Sequence, residues 1–153
     1  MTEGSKRILR AVFCLYCVCV LWLLFGREIS IGESTYMENI AGRFSLKPFH
    51  TILRQLKRCF DPGRPWLMRH SWINLLGNVF VFLPLGLFLP LLWNGMRWLW
   101  RVVLVTAGVM TLVEIAQVLT LLGRGDIDDV ILNTAGAALG YGVFKLLEKK
   151  KGI

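Results

Sequence analysis

The sequence predicts an all-α integral membrane protein, a four-helix bundle that forms one domain over residues 1–153. Its 153 residues are 55% hydrophobic and only 18% charged, with a mean hydropathy of +0.55. Residues 72–93, WINLLGNVFVFLPLGLFLPLLW, carry no charge over 22 positions, long enough to cross the hydrocarbon core as a helix. Soluble domains carry more charge and shorter apolar runs, so this composition excludes an ordinary soluble domain.

The apolar runs divide the chain into four spans and one long loop, residues 27–71. The predicted spans are about 8–26, 72–93, 98–122 and 127–147. The first could be a signal peptide, because basic residues precede a short apolar core, but no small-x-small cleavage site follows, which favours an uncleaved anchor. Three of the four cysteines lie in this span and Cys59 lies in the loop, a pattern typical of neither a disulfide framework nor a zinc site.

Basic residues indicate the orientation in the cell membrane. Lys6, Arg7 and Arg10 precede the first span, whereas Arg27 is the only basic residue in the sixteen that follow it, which favours a cytoplasmic N-terminus. Four spans then return a cytoplasmic C-terminus, and KLLEKKK fits that side. Over the whole chain the rule does not decide, because the 18 Lys and Arg divide equally between the two sides. We expect the net charge of +8 to meet anionic lipid rather than nucleic acid.

The middle of the loop, PFHTILRQLKRCF, is a basic amphipathic segment. At helical spacing its apolar residues fall on one face and Arg54, Lys57 and Arg58 mostly on the other. We therefore expect a short helix over 50–60. It either lies on the outer membrane surface, with its basic side towards phosphates, or packs over the mouth of the bundle. The apolar residues are Phe49, Ile52, Leu53, Leu56 and Phe60.

Polar residues inside the last three spans recur at intervals of three and four, which places each set on one helix face. Spans two and four begin on the side where span three ends. At a rise of about 1.5 Å per residue, Asn78 and Asn133 lie roughly 9 Å, and Glu114 roughly 12 Å, in from that side. An acidic group inside a span needs a partner, and Arg124 is the nearest candidate by depth. We expect one outer-leaflet polar pocket formed by Asn78, Glu114, Gln117, Arg124, Asp129 and Asn133.

Structural roles remain open for several of these residues. Asp126 is expected to start the fourth helix, where a carboxylate accepts free amide protons. Asp128 projects about 160° away from Asp129 and Asn133, so we expect it to lie outside the pocket and to tolerate substitution. Arg124 could instead cap the end of span three after Gly123.

Two further features have plain structural interpretations. Asparagines between helices often contribute only interhelical hydrogen bonds, so Asn74 alone indicates little. GAALG at 136–140 offers a small-residue face, for which helix packing is the preferred interpretation. Pro84 is expected to kink span two.

Three segments of the chain occur in the order NLLGNVFVFLPLGLFLP, EIAQ and RGDIDDVILNTAGAALGY. In combination they resemble the VanZ-like family of small bacterial membrane proteins, and LKPFHTI resembles that family's Pro-Phe segment. The similarity covers about residues 46–144. It implies a connection to glycopeptide antibiotics, because the founding member of the family confers low-level teicoplanin resistance. Membership alone does not imply resistance, and the resemblance supplies no molecular mechanism.

Two functional hypotheses follow. In the favoured one, the protein is not an enzyme and has no catalytic residue or cofactor. Its pocket binds an envelope lipid or a lipid-linked cell-wall precursor and changes antibiotic access. In the alternative, it is a membrane enzyme acting on a phosphate-bearing lipid, with Arg124 holding the phosphate and Glu114 or Asp129 as general base or as ligand to a divalent metal. No His or Cys nucleophile lies at that depth.

Overall fold

Helices build almost all of the structure, a computed structural model that describes residues 3–26, 40 and 43–151. Four of the helices are long and apolar enough to cross a membrane, which confirms the predicted all-α four-span membrane protein. Arg27 and the other residues of 27–39 and 41–42 lie outside the described residues. The elements are α1 Glu3–Phe25, β1 Phe44–Ser45, α2 His50–Cys59, α3 Pro65–Leu92, a 3-10 turn Asn94–Met96, α4 Leu99–Leu119, β2 Gly125–Asp126 and α5 Ile127–Lys151.

Two helices begin before the predicted apolar spans. α1 begins at Glu3 and α3 at Pro65, against predicted starts at about residue 8 and residue 72. Proline is well suited to the first turn of a helix, because its fixed φ fits and its missing N–H would have no helical partner there. Polar residues before the apolar run therefore extend the helix beyond the uncharged stretch.

The centre of the bundle is a close contact between α3 and α5. A Cβ atom at Gly86 would overlap the Ala137 carbonyl, and one at Gly136 or Gly140 would overlap a carbonyl of α3. Only glycine permits the two backbones to approach this closely, and dense van der Waals contact is what holds helices together where no hydrophobic effect operates between them. The packing interpretation of GAALG is confirmed.

The other two spans cover this pair unequally. At the end of the bundle near the chain termini, α4 contributes Val102 to a core with Leu89 and Phe144, and the Tyr141 hydroxyl donates to the Arg97 carbonyl at 2.6 Å. By contrast, α1 has no buried residue. It contacts α3 through aromatic side chains and through the Tyr16 hydroxyl, which donates to the Val81 carbonyl at 2.8 Å.

A pair of two-residue parallel strands closes the opposite end of the bundle, and no pattern in the sequence predicted it. Phe44 pairs with Gly125 and Ser45 with Asp126. Beside this pair, the turn that follows α4 contains Leu121 in the left-handed conformation, with φ 58°. The Arg43 guanidinium donates to the Leu121 and Gly123 carbonyls at 3.1 Å each. Arg43 from the loop therefore has the capping role that the sequence had offered to Arg124.

The amphipathic segment of the loop is a helix, as predicted. In α2, Thr51 and Cys59 are buried, whereas Leu53 and Leu56 remain 55% and 43% exposed. The Gln55 amide donates to the Asn74 side-chain oxygen at 3.1 Å, which joins α2 to the start of α3. The helix is thus held on the bundle while much of its apolar face stays uncovered by protein.

Candidate functional site

An open polar cavity lies at the end of the bundle that carries α2. Its central space measures about 70 Å³, room for a small polar group or a few water molecules. All four spanning helices contribute to it, and the six residues predicted for the pocket all line it. The lining residues are Leu23, Leu24, Asn74, Asn78, Glu114, Gln117, Gly123, Arg124, Asp129 and Asn133.

Helical periodicity explains why these side chains converge. Intervals of three and four keep the polar residues of each helix on one face, and α3 and α5 begin where α4 ends. The end of α1 supplies an apolar wall through Leu23 and Leu24, which the sequence analysis had not assigned to the site. A backbone group of that wall takes part directly, because the Gln117 amide donates to the Leu24 carbonyl at 2.6 Å.

The carboxyl groups of the cavity are bound to specific donors. Asn78 on α3 donates its side-chain N–H to Asp129 Oδ1 on α5 at 2.8 Å. Glu114 is 7% exposed, and its Oε2 accepts the backbone N–H of Asp126 at 3.0 Å. The expected partner of Glu114, Arg124, is instead exposed at the rim and forms no ion pair within the part of the chain that the structure describes.

Asn133 is the most deeply buried polar residue of the cavity. Its side chain is only 2% exposed, yet among the described residues its Oδ1 finds no hydrogen-bond donor. An unpaired buried polar atom costs about 1–3 kcal/mol, and such atoms are uncommon in native proteins. The cavity therefore has capacity to accept a further hydrogen bond.

Asp128 stands outside the cavity and takes a part that its helical direction did not predict. It is fully buried, and its carboxylate accepts the backbone N–H groups of Phe49 and Thr51 at 2.6 Å and of Ile52 at 3.0 Å. These are the free donors at the start of α2, where a carboxylate is favoured both as a cap and by the helix dipole. The structure therefore argues against the expected tolerance of substitution at Asp128.

Asp126 connects this cap to the cavity. Its Oδ1 accepts the Asp128 backbone N–H at 3.0 Å, the geometry of a residue that starts a helix, and its Oδ2 accepts the Thr51 hydroxyl at 2.6 Å. Because the Asp126 N–H is bound by Glu114, a short chain of hydrogen bonds runs from the cavity to the first turn of α2.

The family model described as VanZ/LLP1 matches residues 13–148, a range that covers most of each spanning helix and every residue that lines the cavity. The chain belongs to this family. It is 28% identical over 146 residues to Protein VanZ of Enterococcus faecium, and the matched region covers 95% of this chain and 78% of that protein. No solved structure matches the chain.

In this VanZ-family protein, the sequence patterns missed the α1 wall of the cavity and also two residues of the loop before α3. Arg43 and Thr51 carried no recognisable pattern. One signal was available: Phe49 stands at the N-cap of α2 and has no side-chain acceptor, so a cap had to come from elsewhere in the chain.

The polar side chains that line the cavity carry carboxyl, amide and guanidinium groups. Among the described residues, no three His, Cys, Asp or Glu side chains are grouped so as to hold a metal ion. Cys59, on α2 and outside the spans, is buried, and burial raises the pKa of its thiol, which keeps it in the unreactive neutral form. The cavity therefore presents mainly hydrogen-bonding and charged groups to a ligand.

Proposed function

We propose that this VanZ-family membrane protein binds the polar part of an envelope lipid or a lipid-linked cell-wall precursor in the cavity, without catalysis. Binding would change the access of a glycopeptide antibiotic, teicoplanin in the first place, to its target. The observation that carries the proposal is the convergence of seven polar side chains on one open cavity, six from three spanning helices and Arg124 from the connection between α4 and α5.

Energetics favours a binding role over helix packing alone. A charged or acidic group inside a span costs roughly 2.5–3.5 kcal/mol on insertion scales, so such groups mark functional sites by default. The core at the other end of the bundle, around Val102 and Phe144, packs without carboxyl groups. Helix association alone would not require Glu114 and Asp129 to line an open space.

We further propose that the cavity faces the outer leaflet, with both termini cytoplasmic, as the basic residues before α1 favour. In this orientation α2 lies in the headgroup region. Its exposed Phe49, Leu53 and Phe60 then enter the acyl boundary, while Arg54 and Lys57 meet anionic lipid phosphates.

The test is antibiotic susceptibility of a Gram-positive host with and without the gene, for teicoplanin and for vancomycin as comparison. The cavity variants are expressed at matched membrane levels. They are Glu114→Gln, Arg124→Ala and Asp129→Asn, with Asp61→Asn in the loop as control. We expect each cavity variant to abolish the change in susceptibility and the control to retain it. Full activity of all three cavity variants would refute the proposed site.

One observation supports a second candidate, a membrane enzyme acting on a phosphate-bearing lipid. Glu114, Asp129 and Arg124 line the same cavity, so a general base and a phosphate-binding cation are both present. Turnover of lipid-linked substrates by purified protein, with and without divalent metal, separates the two. Product formation that Glu114→Gln eliminates would establish the enzyme.

A further inference from the structure

We propose that the cavity receives a protonated primary amine that is carried next to a phosphate on an envelope molecule. The ammonium group enters between Glu114 and Asp129, and Arg124 at the rim contacts the phosphate. This inference rests on the proposed function, that the cavity binds the polar part of an envelope molecule, and it specifies the chemistry of that part.

The charges of the cavity favour a cation inside and an anion at the rim. Among the described residues of its lining, Glu114 and Asp129 are acidic and buried or half-buried, whereas the basic residue, Arg124, is exposed. A phosphate at the centre would meet two carboxyl groups in surroundings of low dielectric, where like charges repel strongly. An ammonium group at the same place is attracted by both carboxyl groups, and the phosphate next to it can contact the Arg124 guanidinium.

Hydrogen-bonding capacity points to the same class of ligand. Two amides of the lining already use a donor within the protein: Asn78 binds Asp129, and Gln117 binds the Leu24 carbonyl. The unpaired atom is an acceptor, Asn133 Oδ1, 2% exposed and without a donor among the described residues. An ammonium group brings three donors and no acceptor, which matches this need, whereas a phosphate brings only acceptors.

The size of the cavity adds selectivity. About 70 Å³ of open space accommodates an aminoethyl group. A trimethylammonium group has the same charge but is larger and has no N–H to donate. The cavity should therefore distinguish a primary amine from a quaternary one, which charge attraction alone would not do.

Lipid binding to the purified full-length protein, followed by native mass spectrometry, tests the inference. The probes are phosphatidylethanolamine, phosphatidylcholine, phosphatidylglycerol and N-acetylated phosphatidylethanolamine with identical acyl chains. A lipid-linked peptide precursor with a free amine is compared with its acetylated form, and soluble ethanolamine supplies the amine without the phosphate or the acyl chains. We expect the free amine to bind about tenfold more tightly than the choline or acetylated forms.

Matched variants assign the preference to the cavity. Glu114→Gln and Asp129→Asn should each remove most of the tenfold preference, whereas Asp61→Asn in the loop should retain it. Thermal unfolding in detergent identifies a variant that has lost its fold, and the other variant then decides. Preference for the amine that survives in both folded cavity variants would overturn the inference.

The outcomes for the inference and for the proposed function differ. Cavity-dependent binding of phosphatidylglycerol or of the acetylated lipids, equal to that of the amine, would overturn the amine inference and leave lipid binding in place. If no probe binds in a manner that depends on Glu114 or Asp129, both fail. Soluble ethanolamine binding as tightly as the lipid would overturn the role of Arg124 and the phosphate. Preference for phosphatidylethanolamine supports the arrangement of an amine beside a phosphate. Preference for the precursor, whose peptide amine is not next to a phosphate, would overturn the contact of Arg124 with a neighbouring phosphate.

Discussion

Replacing Asp128 with asparagine should release the first turn of α2 from the bundle. The aspartate accepts three backbone N–H groups while fully buried. Asparagine keeps one acceptor oxygen but turns an NH₂ group towards a backbone donor, and it removes the charge that strengthens the remaining bonds. Leaving buried donors unpaired in this way costs about 2–4 kcal/mol. At about 1.4 kcal/mol per factor of ten, opening of α2 should become about 30- to 1,000-fold more frequent.

Cys59 reports this opening directly. It lies at the end of α2 and is 2% exposed, so a maleimide can reach it only when the helix detaches. In a variant whose other three cysteines are replaced by alanine, the labelling rate follows the population of the open form when closing is fast. We therefore expect Asp128→Asn to accelerate labelling by the same factor of about 30 to 1,000.

The control is Asp61→Asn, in the turn after α2, where the carboxyl group binds the Gly63 N–H and the Arg64 guanidinium, both close in the sequence. It should change the rate by less than about threefold, because exposed polar contacts contribute little. Equal labelling rates in the two variants would refute the view that Asp128 holds α2 in place.

The remaining predictions concern the rest of the fold. Gly140→Ala should lower stability in detergent by about 1–3 kcal/mol, because its Cβ meets an α3 carbonyl, while Gly142→Ala, with open space around it, should be neutral in the same thermal unfolding measurement. Arg43→Ala removes the donor to two carbonyls after α4, so amide hydrogen exchange in that turn should increase without a comparable change in α5. Tyr141→Phe removes the hydroxyl bound to the Arg97 carbonyl and should lower the unfolding free energy by about 1 kcal/mol, measured by denaturant titration in detergent micelles.

The convergence of the cavity residues could be predicted because local rules determine it. Periodicity assigns Glu114 and Gln117 to one face of α4, and Asp129 and Asn133 to one face of α5. The alternating direction of successive spans then brings these faces to one end of the bundle. Neither step requires knowledge of a long-range contact, so the sequence sufficed for both.

The function of Asp128 could not be predicted in the same way, because it depends on a segment distant in the chain. Its helical direction correctly places it away from Asp129. What it meets there is Phe49, 79 residues earlier in the sequence. Helical spacing specifies where a side chain points, but not which loop returns to that place. The capping of α4 by Arg43, 78 residues before Leu121, escaped prediction for the same reason.

The glycine contact between α3 and α5 has a consequence for how the protein enters the membrane. The mean hydropathy of the span in α5 is 1.4, against 2.1–2.5 for the other three. As an isolated helix, α5 therefore has the weakest tendency to transfer from water into the bilayer. Its glycines fit a surface of α3, which the ribosome has already delivered, and the gain from that contact is available only beside α3. We therefore expect the insertion of α5 to depend on α3, so that the topology of this span is set while the two helices pack together.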